Sequence, residues 1–161
     1  IELLITIAVA AIIAAFIVGG LGSYLGRSRD QARKQELAQI QQALVLYYND
    51  FGGYPSTSGN WYSSEAGDGN PDNGGNYIPG LTPTYIAKLP SDPKGGPSTI
   101  PVCASGGWKR SYHYRSDSRD YKLLAHCSPE AAKLGDTKDS FYDPIRPNHA
   151  WQISTDGATN W

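Results

Sequence analysis

The sequence has few of the features that mark enzymes or nucleic-acid-binding proteins. Its 161 residues carry a formal net charge of −1 and 18% are charged, so overall charge favours neither nucleic acid nor acidic lipid. It contains no HExxH, Gly-x-Ser-x-Gly, CxxC or phosphate-loop motif. His113, His126 and His149 lack metal-ligand spacing. We expect them to be surface side chains, although His113 and His126 could face each other across a hairpin. We therefore predict no enzyme activity and no catalytic or cofactor-binding residues.

Cysteine is also scarce, since Cys103 and Cys127 are the whole complement. Two cysteines suit a single disulfide in an exported domain, and two buried free thiols are the alternative. The disulfide would close a ring of about 25 residues and stabilise the fold by about 3 kcal/mol in the chain-entropy view.

The longest apolar stretch, residues 1–26, contains one charged residue, Glu2. As a helix it would span roughly 39 Å, which exceeds the hydrocarbon core of a bilayer at about 30 Å. We therefore predict an apolar helix of transmembrane length. No basic region precedes it, as one would in a secretory signal, so we expect a chain already processed at its N-terminus.

The orientation of this segment has two interpretations. The residues that follow it include Arg27, Arg29, Arg33 and Lys34, and the positive-inside rule places such a flank in the cytoplasm. A disulfide places the same domain outside. We favour the outside, because a basic leader removed during processing would have set the orientation.

The helical pattern continues through residues 27–50, which are rich in good helix formers. The apolar residues that recur there at the spacing of one helix face are Leu37, Ile40, Leu44 and Tyr47. The turn residues of NDFGGYP predict a helix end within residues 49–53. The sequence thus predicts one long helix that is apolar all round in its first half and on one face in its second.

Three glycines, Gly19, Gly20 and Gly22, separate these two halves. Each glycine costs a helix about 1 kcal/mol relative to alanine. The cluster therefore predicts a kink or a local loss of helix, with close packing of small residues against another helix as the alternative.

We predict a globular head over residues 27–161, which begins with the amphipathic helix at 27–50. After that helix come a variable loop, 51–107, and a sheet-forming C-terminal region, 108–161. The loop has turn residues throughout and no sustained period. The segments that alternate as strands do are SYHYR (111–115), YKLLAHC (121–127) and WQIST (151–155). We predict an α+β fold in which the apolar helix stripe covers a small antiparallel sheet.

The opening IELLITIAVAAIIAAFIVGGLG resembles the mature N-terminus of type IV pilins and type II secretion pseudopilins. That family's pattern begins with Phe and two further residues, so this chain would start three residues into it. LPSDPKGGP, YHYR and DYKLLAHC are similar to the loop end and hairpin of major pseudopilins. The resemblance covers most of residues 1–127 and implies the pilin fold.

The resemblance also implies a function and a role for Glu2. In this family the matching Glu pairs with the N-terminal amine of a neighbouring subunit and sets the axial stagger of a filament. Gly19, Gly20 and Gly22 lie where many type IV pilins lose helix on assembly, so we expect a stretched segment within residues 17–23 of the filament.

Three functions follow as expectations. The first is a type IV pilus subunit on the bacterial surface, held in the cytoplasmic membrane before assembly, with identical subunits and the assembly machinery as partners and adhesion, twitching or DNA uptake as its use. The second is the major pseudopilin of a type II secretion system. The third, of another class, is a monomeric membrane-anchored binding module with residues 55–110 as its ligand surface.

Two acidic clusters and one basic–aromatic run are weaker candidates for sites. Asp68, Asn70 and Asp72 have the 1, 3, 5 spacing of a calcium-binding loop, but the sixth position is not Gly and the twelfth is not Glu. Asp117 and Asp120 are a second candidate calcium site, and calcium is the one cofactor for which the sequence offers candidates. WKRSYHYR (108–115) interleaves aromatic and basic residues as nucleic-acid-binding strands do, with an ordinary half-buried strand as the alternative.

Overall fold

The computed structural model describes residues 2–65, 75–132 and 134–161, with the side chains of Glu2 and of residues 13–21 outside that description. The described elements are a long helix, a four-stranded sheet, one short helix and a 3₁₀ turn. In chain order they are α1 (Glu2–Phe51), β1 (Tyr62–Ser63), α2 (Pro101–Ser105), β2 (Ser111–Ser116), β3 (Tyr121–His126), β4 (Ala150–Ser154) and the 3₁₀ turn (Asp156–Ala158).

The long helix α1 covers 50 residues and ends where the turn residues predict. Gly52 has a φ of 70°, a left-handed conformation that glycine adopts without strain and that stops a helix. Its N–H donates to the carbonyl oxygen of Tyr48 at 2.7 Å. In this single chain the helical backbone runs through Gly19, Gly20 and Gly22; the stretched segment predicted there concerns the assembled filament and stays a prediction.

The sheet is antiparallel throughout, with strand order β1-β2-β3-β4. The three strands predicted from alternating patterns are present as β2, β3 and β4. Two short elements, β1 and α2, interrupt the stretch predicted as continuous loop. A strand of two residues has no detectable period, and it forms because it pairs with Tyr114 and His113 of β2.

The core lies between the second half of α1 and one face of the sheet, so the fold is α+β as predicted. Leu37, Ile40 and Leu44 of α1 are fully buried against that face of the sheet. The sheet residues in the same cluster are Tyr112, Tyr114, Tyr121, Leu123, Ala125 and Trp151. Burial of each large apolar side chain contributes about 1.5–3 kcal/mol, which fixes this half of the helix on the sheet.

The opposite face of the sheet is also covered, although no local pattern in the sequence predicts it. Lys122 of β3 is fully buried, and its Nζ donates to Asp143 Oδ1 at 3.1 Å and to the Thr159 carbonyl oxygen at 2.9 Å. His113 and His126 are 6% and 8% exposed, so the prediction that they are surface side chains was wrong. The ring of Trp61 lies beside His113, and those of Trp108 and His149 lie beside His126.

Candidate functional site

In the single chain, the described side chains at the start of α1, residues 3–12, are mostly apolar and exposed to solvent. Leu3, Leu4 and Ile5 follow one another at about 100° around the helix axis, and they are 72%, 72% and 57% exposed. Ile7 and Ile12 are similarly exposed, at 59% and 58%. An apolar surface of this extent, continuous around a helix, marks a site of contact with another molecule or with lipid.

The helix meets the head at Gly26, the first buried residue after the exposed segment. A Cβ at Gly26 would lie 3.3 Å from the Ala131 Cβ, so glycine allows the loop at 130–132 to approach the helix closely. The Asp30 carboxylate accepts the backbone N–H groups of Glu130, Ala131 and Ala132 at 3.0, 2.8 and 2.9 Å. The loop is thereby held to α1 through its backbone.

A buried ion-pair network extends this junction. The Arg33 guanidinium, fully buried, donates to Asp92 from Nε at 2.8 Å and from Nη2 at 3.0 Å. It also donates to Asp30 Oδ1 at 2.8 Å and to Glu130 Oε1 at 2.9 Å. Burial favours a higher pKa for the Asp92 carboxyl, but the hydrogen bonds and charge of Arg33 outweigh it and lower that pKa.

Glu130 is the second carboxylate at the centre of the network. Arg29 binds it in a bidentate manner, with both N···O distances 2.7 Å, and the Lys94 Nζ lies 2.7 Å from Oε2. Burial opposes ionisation, but the hydrogen bonds from Arg29, Lys94 and Arg33 place the pKa of Glu130 well below its usual range. We call Arg29, Asp30, Arg33, Asp92, Lys94 and Glu130 the junction network.

Sequence reasoning missed the junction network because it interpreted these basic residues by membrane topology. A signal was present. Arg33 precedes Leu37 by four residues and Asp30 precedes it by seven, so both continue the stripe that packs on the sheet. Charged residues in register with a buried stripe indicate that they have buried partners of opposite charge. The spacing does not reveal that these partners are Asp92 and Glu130.

The residues predicted for filament assembly are placed only in part. Glu2 begins α1, and its side chain lies outside the described residues. Gly19 and Gly20 fall in the stretch whose side chains are likewise outside that description, whereas Gly22 has open space around it.

Cys103 of α2 and Cys127, the residue that follows β3, form a disulfide, which confirms the predicted pairing. Their Cα atoms are 5.9 Å apart. The bond ties the segment before β2 to the far end of the β2–β3 hairpin, so the loop at 100–108 is held beside the sheet.

Of the two candidate calcium sites, one lies outside the described residues and the other lies within them. Asp68, Asn70 and Asp72 lie outside the described residues. Asp117 Oδ1 accepts the N–H groups of Arg119 and Asp120 at 3.0 and 2.8 Å, which forms the hairpin turn. Within residues 2–65, 75–132 and 134–161, no three His, Cys, Asp or Glu side chains are arranged to hold a metal ion.

The basic–aromatic run at 108–115 contributes mostly to the interior. Tyr112 and Tyr114 belong to the core, and the Tyr112 hydroxyl donates to Glu36. Arg110 donates to the Pro97 carbonyl oxygen. Trp108 is the aromatic residue of the run with an exposed surface, so the stacking platform proposed for nucleic acid is reduced to one ring.

Among the residues that the structure describes, no helix has both the length and the apolar character needed to cross a membrane. The segment predicted over residues 1–26 includes Ile1, the Glu2 side chain and the side chains of 13–21, which lie outside that description. Comparisons of the chain with protein-family models, curated proteins and solved structures found no match.

Proposed function

We propose that this chain is a structural subunit that polymerises into a filament of the type IV pilus class. The head would have the pilin fold, and the exposed half of α1 would form the filament core with the same segment of neighbouring subunits. The observation that carries the proposal is the exposed apolar surface at the start of α1, at Leu3, Leu4 and Ile5, on a helical backbone that continues without interruption into a half built into the head.

An exposed apolar helix is stable in water only at a cost, because each large side chain would gain about 1.5–3 kcal/mol on burial. Lipid and a neighbouring apolar helix both supply that burial. The same surface would therefore contact the cytoplasmic membrane first and identical subunits later. Transfer from one to the other is the work of the assembly machinery, and the assembled filament would lie on the bacterial surface.

The junction network supports the proposal by joining helix and head rigidly. Arg33 and Asp30 act from α1 on two separate loops, at Asp92 and at Glu130. A helix that packs at the centre of a filament must carry its head at a constant angle. Buried ion pairs of good geometry favour one arrangement over others of similar hydrophobicity.

Glu2 is proposed to set the register of the filament. A lone carboxylate in an apolar core is unfavourable by several kcal/mol unless a positive group neutralises it. An N-terminal amine of the neighbouring subunit would do so, and the pair would form at one axial stagger. Charge complementarity of this kind supplies specificity of arrangement more than strength.

The test is electron microscopy of material sheared from cells that express the native chain, Glu2→Ala or Asp136→Ala. Asp136 is an exposed carboxylate of the head, so its variant controls for the loss of one negative charge. We expect long fibres from the native chain and from Asp136→Ala, and few or thin fibres from Glu2→Ala at an equal amount of protein in the membrane fraction.

Other outcomes would favour the alternatives. Short fibres from the native chain, seen only when it is overproduced, would indicate the type II secretion pseudopilin, which the LPSDPKGGP stretch favours. Absence of fibres from all three chains, with the protein retained in membranes, would contradict the proposal and favour the monomeric anchored binding module. Equal fibres from the native chain and Glu2→Ala would contradict the role of Glu2 alone.

A further inference from the structure

A pocket of about 270 Å³ opens on the face of the sheet opposite α1. Its floor is formed by β2 and β3 side chains that alternate with those in the core. Its walls come from the segment before β1, the segment after α2 and the loop before β4. The side chains that matter here are Trp61, Trp108, His113, His126, His149 and Arg146. Among the described residues that line it, none carries a carboxylate.

The three histidines of the chain meet at this pocket. The ring centroids of His113 and His126 are 4.7 Å apart, and those of His126 and His149 are 5.4 Å apart. Burial, and then the nearby charge of Arg146, lower the pKa of His149. Its ring is therefore neutral near pH 7 and offers one donor and one acceptor, the combination that suits hydroxyl groups.

The tryptophan walls are held in place before any ligand arrives. The Trp108 ring lies 5.3 Å from that of His126 and stacks with His149 at 6.2 Å. A Cβ at Gly106 would lie 2.9 Å from the Trp108 ring, so glycine is needed for the ring to lie against the backbone. The backbone N–H of Trp108 donates to the carbonyl oxygen of Cys103 at 2.9 Å, next to the disulfide.

Arg146 supplies a cation with one side of its guanidinium available. Its Cζ lies 5.1 Å from the Trp61 ring centroid. In the described part of the chain its hydrogen bonds run from Nη1, to the Trp161 backbone oxygen at 2.9 Å and to Asp143 at 3.4 Å. The Nε and Nη2 groups remain, and together they form the edge that binds a carboxylate in a bidentate manner.

We propose that this pocket binds one acidic sugar residue, a pyranose that carries a carboxylate. Arg146 would bind the carboxylate, the His149 imidazole would bind hydroxyl groups, and the C–H face of the sugar ring would lie on an indole. The face of an indole is electronegative and attracts the weakly positive C–H bonds of a sugar. Pockets lined by aromatic rings with a few convergent polar groups are typical ligand sites, and this volume suits one ring.

This proposal does not depend on filament assembly. A binding site on the face of the head opposite α1 would serve a filament subunit and an anchored binding module alike. In a filament with α1 at its centre, this face would point outwards, where many copies would bind a polymer of acidic sugars with an avidity above that of one site.

The test uses the full chain in detergent micelles and follows the tryptophan indole N–H resonances by NMR during titration. The probes are galacturonic acid, galactose and benzoate. We expect galacturonic acid to shift the Trp61 and Trp108 resonances in a saturable manner, with an affinity at least tenfold above those of galactose and benzoate. Galactose lacks the carboxylate and benzoate lacks the hydroxyl groups, so each probe removes one part of the proposed recognition.

Two variants and a control locate the site. Arg146→Gln is expected to remove the preference for galacturonic acid over galactose, and Trp108→Ala to weaken the binding of both sugars at least tenfold. Arg119→Gln is the matched control, because the Arg119 side chain is 91% exposed in the hairpin turn, and it should bind as the native chain does. Should Arg146→Gln unfold, Arg146→Lys keeps the charge and should retain part of the preference.

Three results would overturn the proposal. One is the absence of a saturable shift with galacturonic acid in the native chain. Another is binding of benzoate as tight as that of galacturonic acid, which would make the pocket a site for aromatic carboxylates. The third is an unchanged preference in Arg146→Gln that is folded by circular dichroism. None of these results bears on whether the chain forms fibres, so the two proposals fail separately.

Discussion

The two halves of α1 share one helical backbone and have opposite surroundings. In the first half Leu4 is 72% exposed, and in the second Leu44 is fully buried. The same residue type in the same secondary structure therefore contributes to different processes. Leu44 contributes to folding of the head, whereas Leu4 is the kind of exposed apolar side chain that the proposed function assigns to contact with lipid or another subunit.

Charged residues divide between the two halves in the same way. The first half has Glu2 at its start and no other charged residue before Arg27. The second half carries Arg29, Asp30 and Arg33 of the junction network. A helix whose partners belong to its own chain can bury charges, because the loops bring the counter-charges. A helix without such partners in its own chain would have to bury charges without counter-charges, so it carries few charged residues.

Among the variants that test this difference between the two halves, we expect Arg33→Ala to destabilise the head most. It would leave the Asp92 carboxylate buried without its bidentate partner, and loss of one member of a buried ion pair costs about 3–5 kcal/mol. We expect the urea midpoint of tryptophan fluorescence to fall accordingly. Arg27→Ala, at an exposed position six residues earlier, should change stability by less than about 0.5 kcal/mol. Equal effects of the two variants would show that the network does not hold the head.

The matched pair Leu44→Ala and Leu4→Ala tests the division most directly. Leu44→Ala removes a buried core side chain and should destabilise the head by about 2–5 kcal/mol. Leu4→Ala should leave the unfolding of the head unchanged and reduce the yield of fibres, because its contacts lie outside the single chain. Both are measured by urea unfolding and by electron microscopy of sheared material. A stability loss in Leu4→Ala would mean that the first half packs on its own head.

A smaller effect is expected from acid. The pKa values of Asp92, Glu130 and Asp139 are lowered in the folded chain, because hydrogen bonds and charges of Arg33, Arg29 and Lys34 outweigh burial. In the unfolded chain these carboxyls bind protons near their usual pKa values of about 4. The stability that these carboxylates contribute is thus fully present above about pH 4 and is lost as the pH falls from there through their lowered folded-state pKa values, by on the order of 2 kcal/mol.

The Glu36 carboxyl contributes to the pH dependence of stability with the opposite sign. Burial raises the pKa of Glu36, so its contribution favours folding at lower pH and offsets part of the loss. The measurement is the free energy of unfolding between about pH 6 and pH 3, in the native chain and in Arg33→Ala. The variant should show a shallower slope. A native chain that is equally stable at both values would contradict the assignment of charged carboxylates to the junction.

Much of the fold follows from the sequence alone, because its patterns are local. Apolar residues at Leu37, Ile40 and Leu44 specify which helix face is buried, and Gly52 ends the helix. Alternation in SYHYR, YKLLAHC and WQIST specifies three strands and their faces. The cysteine count predicts the Cys103–Cys127 disulfide. Each of these depends on residues close together in the chain or on a count that leaves one pairing.

The tertiary structure decided what depends on residues distant in sequence. Nothing near Arg33 predicts Asp92 or Glu130 as its partners, and nothing near His113 or His126 predicts His149 beside them. One face of β3 is covered by α1, and the opposite face is covered by segments without a regular period, which buried His113 and His126 against expectation and Lys122 with them. Local patterns specify secondary structure because their partners are a few residues away, whereas a pocket or an ion-pair network forms only where separate loops meet.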